Sequence, residues 1–148
     1  MEIKQIKDNK KQFLSLLLLG DEQEDMIDKY LDNGEMFVLY DNCEEKCVCV
    51  VTDEGDGVLE IKNIATKPDS QRKGYGKTMI NFIETHFKEN FSIIQLGTGD
   101  SPLTIPFYEK CGFEKFKVIN NFFVDNYKNP IFECGVQLVD MIYLKKNI

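Results

Sequence analysis

Gln71-Arg72-Lys73-Gly74-Tyr75-Gly76-Lys77 stands between an apolar, strand-like run that ends at Thr66 and a helical pattern that starts at Tyr75. A glycine turn at such a junction presents unbonded N–H groups and the positive end of a helix dipole, a site for anionic oxygen. Gly74 and Gly76 carry no Cβ, so the backbone can approach a diphosphate closely and take dihedrals that other residues avoid. Arg72, Lys73 and Lys77 add positive charge, and Thr78 completes the first turn. Two familiar phosphate loops do not fit. A Walker loop ends as Gly76-Lys77-Thr78 does, but its first glycine falls on Gln71; a dinucleotide fingerprint starts as Gly74-x-Gly76 does, but its last glycine falls on Met79. A plain glycine turn capping a surface helix is the bland alternative.

The chain around this loop has 148 residues, enough for one domain (1–148) that buries roughly two-thirds of its unfolded surface. With 43% hydrophobic residues it is globular rather than disordered. Met1-Glu2-Ile3-Lys4 runs directly into a strand pattern with no leader-like segment, and the longest apolar stretch, Phe13 to Leu19 broken by Ser15, is too short to span a bilayer. The expectation is a cytoplasmic protein with no membrane partner.

Five cysteines occupy positions 43, 47, 49, 111 and 134, with no C-x-x-C pair, and His86 is the single histidine, so no zinc set and no metal is expected. Cys47 and Cys49 share one face of a strand-like run and read as core thiols. Charge is unevenly distributed. Residues 21–56 hold 13 acids against 2 bases, whereas residues 67–77 hold Lys67, Arg72, Lys73 and Lys77 against Asp69. A net charge of −7 argues against nucleic acid as partner. It suits an anionic cosubstrate on the basic loop and a small cationic acceptor, although a solvated acidic face reads the same way.

Hydrophobic spacing predicts a strand over Glu2–Ile6, helices over Lys11–Leu19 and Glu22–Leu31 with Asp21 as a cap, and a hairpin of Met36–Tyr40 and Lys46–Val51. A strand Val58–Thr66 closes at Pro68. Apolar residues at 75, 79, 82, 83 and 87 form one helical stripe over Tyr75–Phe87. A short strand Ser92–Leu96 precedes a helix opened by Ser101-Pro102 and stopped at Cys111-Gly112. Strands Phe116–Asp125 and Val136–Leu144, joined by a Tyr127–Gly135 loop, complete the order β-α-α-β-β-β-α-β-α-β-β. The class is mixed α/β, a central sheet of about seven strands flanked by about four helices.

Gln71-x-x-Gly74-x-Gly76 matches Q/R-x-x-G-x-G/A, the pyrophosphate loop of the GCN5-related N-acetyltransferases, and with the element order the chain resembles that family over essentially its whole length. Thr104-Ile105-Pro106-Phe107-Tyr108-Glu109-Lys110-Cys111-Gly112-Phe113 is similar to the family's A-x-x-[FL]-Y-x-x-x-G-F segment and begins about 30 residues after the glycine loop, the usual separation. The stretch from Asn126 through Asp140-Met141 resembles a bacterial subgroup of acetyltransferases.

The resemblance implies that acetyl-coenzyme A is the cosubstrate. Its pyrophosphate would lie on the amides of Arg72 through Lys77, and its pantetheine would pair with the strand end Ile64-Ala65-Thr66 like an added strand. Ser101 stands where the family often has Asn for the pantetheine, and Thr104 where it often has Ala. The implied reaction is direct attack of a neutral amine on the thioester, with Tyr108 as the acid for the departing thiolate. A phenol with a pKa near ~10 keeps its proton at neutral pH. An ammonium of pKa ~10.4 costs about 4.6 kcal/mol to deprotonate at pH 7, so a base is needed. Glu60 is the candidate, with surface pairing to Lys62 as its bland role. Glu133, before the last strand, is the candidate to hold or deprotonate the amine. Acids among Asp21–Asp28 are further candidates to line the acceptor mouth. Acceptors to expect are an aminoglycoside- or polyamine-like amine or a protein amine, and a homodimer is a further expectation. Two alternatives stay open: a non-catalytic acyl-coenzyme A sensor, and a partner-binding module using the acidic 21–56 face.

Overall fold

Val, Leu, Phe and Cys dominate Glu35–Asp41 (β2) and Glu44–Asp53 (β3), and these runs form the middle of an antiparallel sheet in the computed structural model, which describes residues 1–148. Asn42 and Cys43 close the hairpin, both at positive φ (54° and 63°), the pairing that matches the twist of the two strands. Glu2–Ile6 (β1) pairs with β2 and Val58–Thr66 (β4) with β3, in the order β1-β2-β3-β4.

These strands belong to the first of two compact units, Met1–Ser92; the second is Ile93–Ile148. In the first unit Met36, Val38, Val48, Val50 and Ala65 face one side and pack with Leu16 and Leu17 of α1 (Leu14–Gly20) and Ile27 and Leu31 of α2 (Glu24–Leu31). Phe37 points the other way, with ring centroids of Phe82 and Phe87 on α3 (Tyr75–Phe87) at 5.4 and 5.9 Å. His86 stacks on Phe82 and meets Phe87 edge-on, as an aromatic partner within this cluster. Cys47 and Cys49 are buried as expected, and burial pushes the Cys47 thiol up to about 11.

The N-terminal helices differ from expectation. A 3-10 turn, Lys10–Phe13, precedes α1, and the Lys10 ammonium donates to the carbonyls of Leu31 and Gly34 at 2.8 and 2.7 Å. Asp21 does not cap α2, which starts at Glu24; its carboxylate instead accepts from the Tyr30 hydroxyl at 3.0 Å.

Strand β4 carries an irregularity. Val50 opposes Asn63, but Val51 opposes Ile61, so Lys62 is an extra residue. The inserted residue switches the alternation: Glu60, opposite Thr52, lies on the same face as Asn63 and Ala65. Strict alternation over Val58–Thr66 would put Glu60 on the face of Lys62 and Ile64, and the bulge moves it to the other.

In the second unit Ile93–Gly99 (β5), Met141–Asn147 (β9) and Glu114–Ile119 (β6) form antiparallel pairs in the order β5-β9-β6. Three expected boundaries move. The strand read as Ser92–Leu96 runs to Gly99. The strand read as Phe116–Asp125 stops at Ile119, because Asn121 turns left-handed (φ 59°) and gives its N–H to Asp140 Oδ1 at 2.8 Å. The non-alternating Phe122-Phe123-Val124 then forms a fifth helix, α5 (Phe122–Asn126). The run read as Val136–Leu144 breaks at the same Asp140 into β8 (Val136–Gln137) and β9, and β8 pairs with β7 (Phe132–Glu133) inside the segment read as a loop. The helix opened by Ser101-Pro102 is regular only over Ile105–Lys110 (α4). The seven sheet strands therefore appear as four in one unit and three in the other. No helix is long and apolar enough to cross a membrane.

Candidate active site

The segment leading from β4 into α3 is built as the glycine pattern requires. Pro68–Ser70 make a 3-10 turn, and Gln71 Nε2 reaches back to the Thr66 carbonyl at 3.3 Å. Arg72 is left-handed (φ 62°), and Gly74, the cap of α3, sits at φ 88°, ψ 5°, where a Cβ is strained. A Cβ placed on Gly74 would meet nothing within 4 Å, so the space before the helix is open. The first intrahelical bond runs from Thr78 N–H to Gly74 O at 3.0 Å, and no side chain caps the helix. An α-helix leaves the amides before that bond, those of Tyr75, Gly76 and Lys77, unbonded by the helix itself. Gln71, Arg72, Lys73 and Lys77 are all exposed beside them. Amides, dipole and cations together give the start of α3 a positive, anion-attracting character.

Tyr75, the middle residue of the Gly-Tyr-Gly, is buried, and its hydroxyl donates to Asp41 Oδ2 at 2.7 Å. Asp41 ends β2, so the sheet holds the start of α3 in place. Sequence reading missed this residue: its only signal was an acid in a turn.

Of the expected pantetheine strand, Ile64 and Thr66 lie opposite the buried thiols Cys49 and Cys47. Ala65 faces the other way, into the α1–α2 core, so its side chain is committed to packing and only its backbone is available to a ligand. Glu60 is 4% exposed and accepts the Lys62 ammonium at 2.7 Å. The bland pairing is thus realised, on the face that also carries Asn63.

Asn63 is buried and gives its Nδ2 to the Leu17 carbonyl (2.9 Å) and to the Tyr30 hydroxyl (3.1 Å), which itself donates to Asp21. Burial first, and the neighbouring Asp21 charge second, push the Tyr30 phenol up. The acids expected to line an acceptor mouth are partly spoken for: Glu24 and Asp28 both bind Lys11, at 2.8 and 2.7 Å.

In the second unit Tyr108 lies on α4 and is 8% exposed, between the rings of Phe107 and Phe113 at 5.2 and 6.0 Å. The Tyr-x-x-x-Gly-Phe signature has a structural cause. Phe113 N–H bonds the Tyr108 carbonyl and Gly112 N–H the Glu109 carbonyl, both at 3.0 Å, with Gly112 left-handed at φ 97°. This is the double bond of a Schellman helix end, which demands glycine and brings the residue after it onto the tyrosine. Ser101 is buried, and its Oγ accepts the Leu103 N–H at 3.1 Å while its carbonyl takes the Ile105 N–H. It closes the turn that leads into α4, whose own N-cap is Thr104, and a serine hydroxyl that accepts can also donate. Thr104 accepts from Thr98 at 3.0 Å and is anchored within the unit. Glu133 is half-buried in the small hairpin, and its Oε2 is buried without a hydrogen-bond partner.

Comparison with known proteins matches residues 32–115 to the family described as acetyltransferase (GNAT) domain. The chain is 37% identical over 131 residues to the Bacillus subtilis (strain 168) protein named uncharacterized N-acetyltransferase YvbK, covering 87% of this chain and 84% of that one. A GNAT family acetyltransferase from Elizabethkingia anophelis, solved with acetyl-CoA bound, superposes with a TM-score of 0.94 at 32% identity, covering 99% of this chain and 97% of that one. A Bacillus subtilis acetyltransferase solved with CoA gives 0.90 at 34% identity, with 99% and 98% covered.

Proposed function

The chain belongs to the GCN5-related N-acetyltransferase family, and from that premise we propose that it moves the acetyl group of acetyl-coenzyme A directly to a primary amine, either a small cationic one, aminoglycoside- or polyamine-like, or a protein amine. It is an acyltransferase, and relatives at 32% and 34% identity were solved with acetyl-CoA or CoA bound. The observation that carries the cosubstrate assignment is the uncapped start of α3 behind Gly74, open in front and flanked by Arg72, Lys73 and Lys77. We read both compact units as parts of one acyltransferase domain; the near-complete coverage of the Elizabethkingia structure supports this.

The roles follow from chemistry. The cradle amides from Arg72 to Lys77, with the Thr78 turn and Gln71, hold the diphosphate, and the backbone of Ile64, Ala65 and Thr66 with Ser101 holds the pantetheine. The amine nitrogen bonds the carbonyl carbon, the carbon–sulfur bond breaks, and the sulfur takes a proton from the Tyr108 phenol. The amine's surplus proton goes to Glu60, directly or through water, with Lys62 stabilising the carboxylate between turnovers. Glu133 receives the acceptor ammonium: a buried carboxylate oxygen without a donor is unfavourable, and an ammonium supplies three.

Five free thiols fit a reducing, cytoplasmic setting. The expected homodimer stays part of the proposal, with β6 at a sheet edge and its Phe116 and Val118 exposed; sedimentation across the micromolar range tests it.

The deciding experiment measures thiol release from acetyl-coenzyme A with spermidine, kanamycin, a lysine peptide and an alanine-terminated peptide. Turnover with at least one, lowered about 100-fold in kcat and little in KM by Tyr108→Phe, is expected. Tight binding of the cosubstrate with no thiol release from any acceptor would mark a sensor instead.

A further inference from the structure

We propose that Lys146 is the positioning residue for Tyr108, holding the helix end from which the phenol works. The inference rests on the reading of Tyr108 as the acid and extends it to a residue outside both sequence signatures.

Tyr108 is fixed on a helix only six residues long, Ile105–Lys110, too short to be stable on its own propensity. Its position therefore depends on what grips the ends. At the C-terminal end the Schellman bonds use the carbonyls of Tyr108 and Glu109. The carbonyl of Cys111, the C-cap residue, takes a different partner: Lys146 Nζ on β9, at 2.8 Å. A cation there also complements the negative end of the helix dipole.

The lysine stem matters as well as its charge. A Cβ built on Gly112 would lie 3.0 Å from Lys146 Cε and 3.2 Å from Nζ, so the side chain lies directly over the left-handed glycine. Gly112 is required for its φ and also for the space the lysine fills. Lys146 faces Ile94 across the β5–β9 pair and is half-buried, so it carries the rigidity of the sheet to the turn. Strand, cap and aromatic contact converge on one residue: Phe113, whose N–H bonds the Tyr108 carbonyl, stacks edge-on against the Tyr108 ring. Without the Nζ donor the Cys111 carbonyl loses this partner, and the turn that seats Phe113 under Tyr108 loosens. Small displacements of a catalytic group lower turnover steeply without touching cosubstrate binding.

The test is a double-mutant cycle in the full chain, read as thiol release from acetyl-coenzyme A with spermidine, or with water as acceptor if spermidine is not turned over. Lys146→Met keeps the stem and removes the donor; it is expected to lower kcat ~10-fold with KM for acetyl-coenzyme A within about twofold. Lys146→Arg, which restores a donor, should recover most of the rate. Lys145→Met, one residue away and exposed, should leave it unchanged. In a Tyr108→Phe background Lys146→Met should change kcat less than about twofold, because its effect passes through the phenol. An unchanged kcat in Lys146→Met overturns the proposal, and so does an equal loss in both backgrounds, which would mean that Lys146 acts elsewhere. If Tyr108→Phe alone keeps full activity, the acid assignment itself fails, and the Lys146 proposal falls with it. A melting curve and a CoA titration on each variant separate these outcomes from unfolding.

Discussion

The hydroxyl of Tyr75, first residue of the helix behind the glycine loop, donates to the carboxylate of Asp41 at 2.7 Å, across 34 positions of sequence. That bond is the main reason the Asp41 carboxyl is held below its usual range, and the same bond raises the Tyr75 phenol. It ties the start of α3, directly behind the glycine loop, to the end of a sheet strand.

Tyr75→Phe should therefore weaken CoA binding about 3–10-fold, as one charge-assisted hydrogen bond is lost. The pH dependence has a defined sign. Asp41 has a lowered folded pKa, so its contribution to stability is complete above the unfolded value near ~3.9 and disappears as pH falls through the folded one. The melting-temperature gap between wild type and Tyr75→Phe should be constant from pH 7 to about 5 and close below about 4. A gap that persists undiminished into strong acid would show that the hydroxyl stabilises the fold independently of the Asp41 charge.

Gly20→Ala tests the buried polar cluster on the opposite face of the sheet. A Cβ on Gly20 would stand 2.1 Å from Asn63 Oδ1 and 3.3 Å from the Ile64 carbonyl. Asn63 would have to leave its bonds to Leu17 and Tyr30. We expect a loss of about 1–3 kcal/mol, a fall of several degrees in melting temperature. Wild-type stability in this variant would show that the α1–β4 spacing is loose.

Glu60→Gln tests the base. At pH 7 its kcat/KM should fall ~10–100-fold, and the deficit should shrink as pH approaches the acceptor's own pKa near ~10.4, where solvent has already deprotonated the amine. A deficit independent of pH would leave Glu60 as the structural partner of Lys62 only.

Much of this arrangement is legible in the residues themselves. The glycine loop, the Tyr75–Phe87 stripe and the Tyr-x-x-x-Gly-Phe helix end are local patterns, each dictated by dihedral or spacing rules that act within a few residues. What escaped reading depends on contacts between distant segments. The extra residue at Lys62 is invisible in alternation until Val51 is seen opposite Ile61, and it decides which side of the sheet Glu60 faces. Asp140 splits an apolar run by accepting the Asn121 amide, 19 positions away. Asp41 and Lys146 look like ordinary surface charges until their partners, Tyr75 and the Cys111 carbonyl, are placed beside them.

Backbone amides at the start of α3 are expected to bind the diphosphate of coenzyme A. Calorimetric titration of CoA into wild type and Gly74→Val tests it most directly. A Cβ on Gly74 meets nothing within 4 Å and the site is left-handed at φ 88°, so the cost of a β-branched residue falls first on the loop conformation rather than on the core. At least a ~10-fold weaker affinity is expected for Gly74→Val, with a melting temperature only a few degrees lower. Equal affinity in a folded Gly74→Val protein would contradict it.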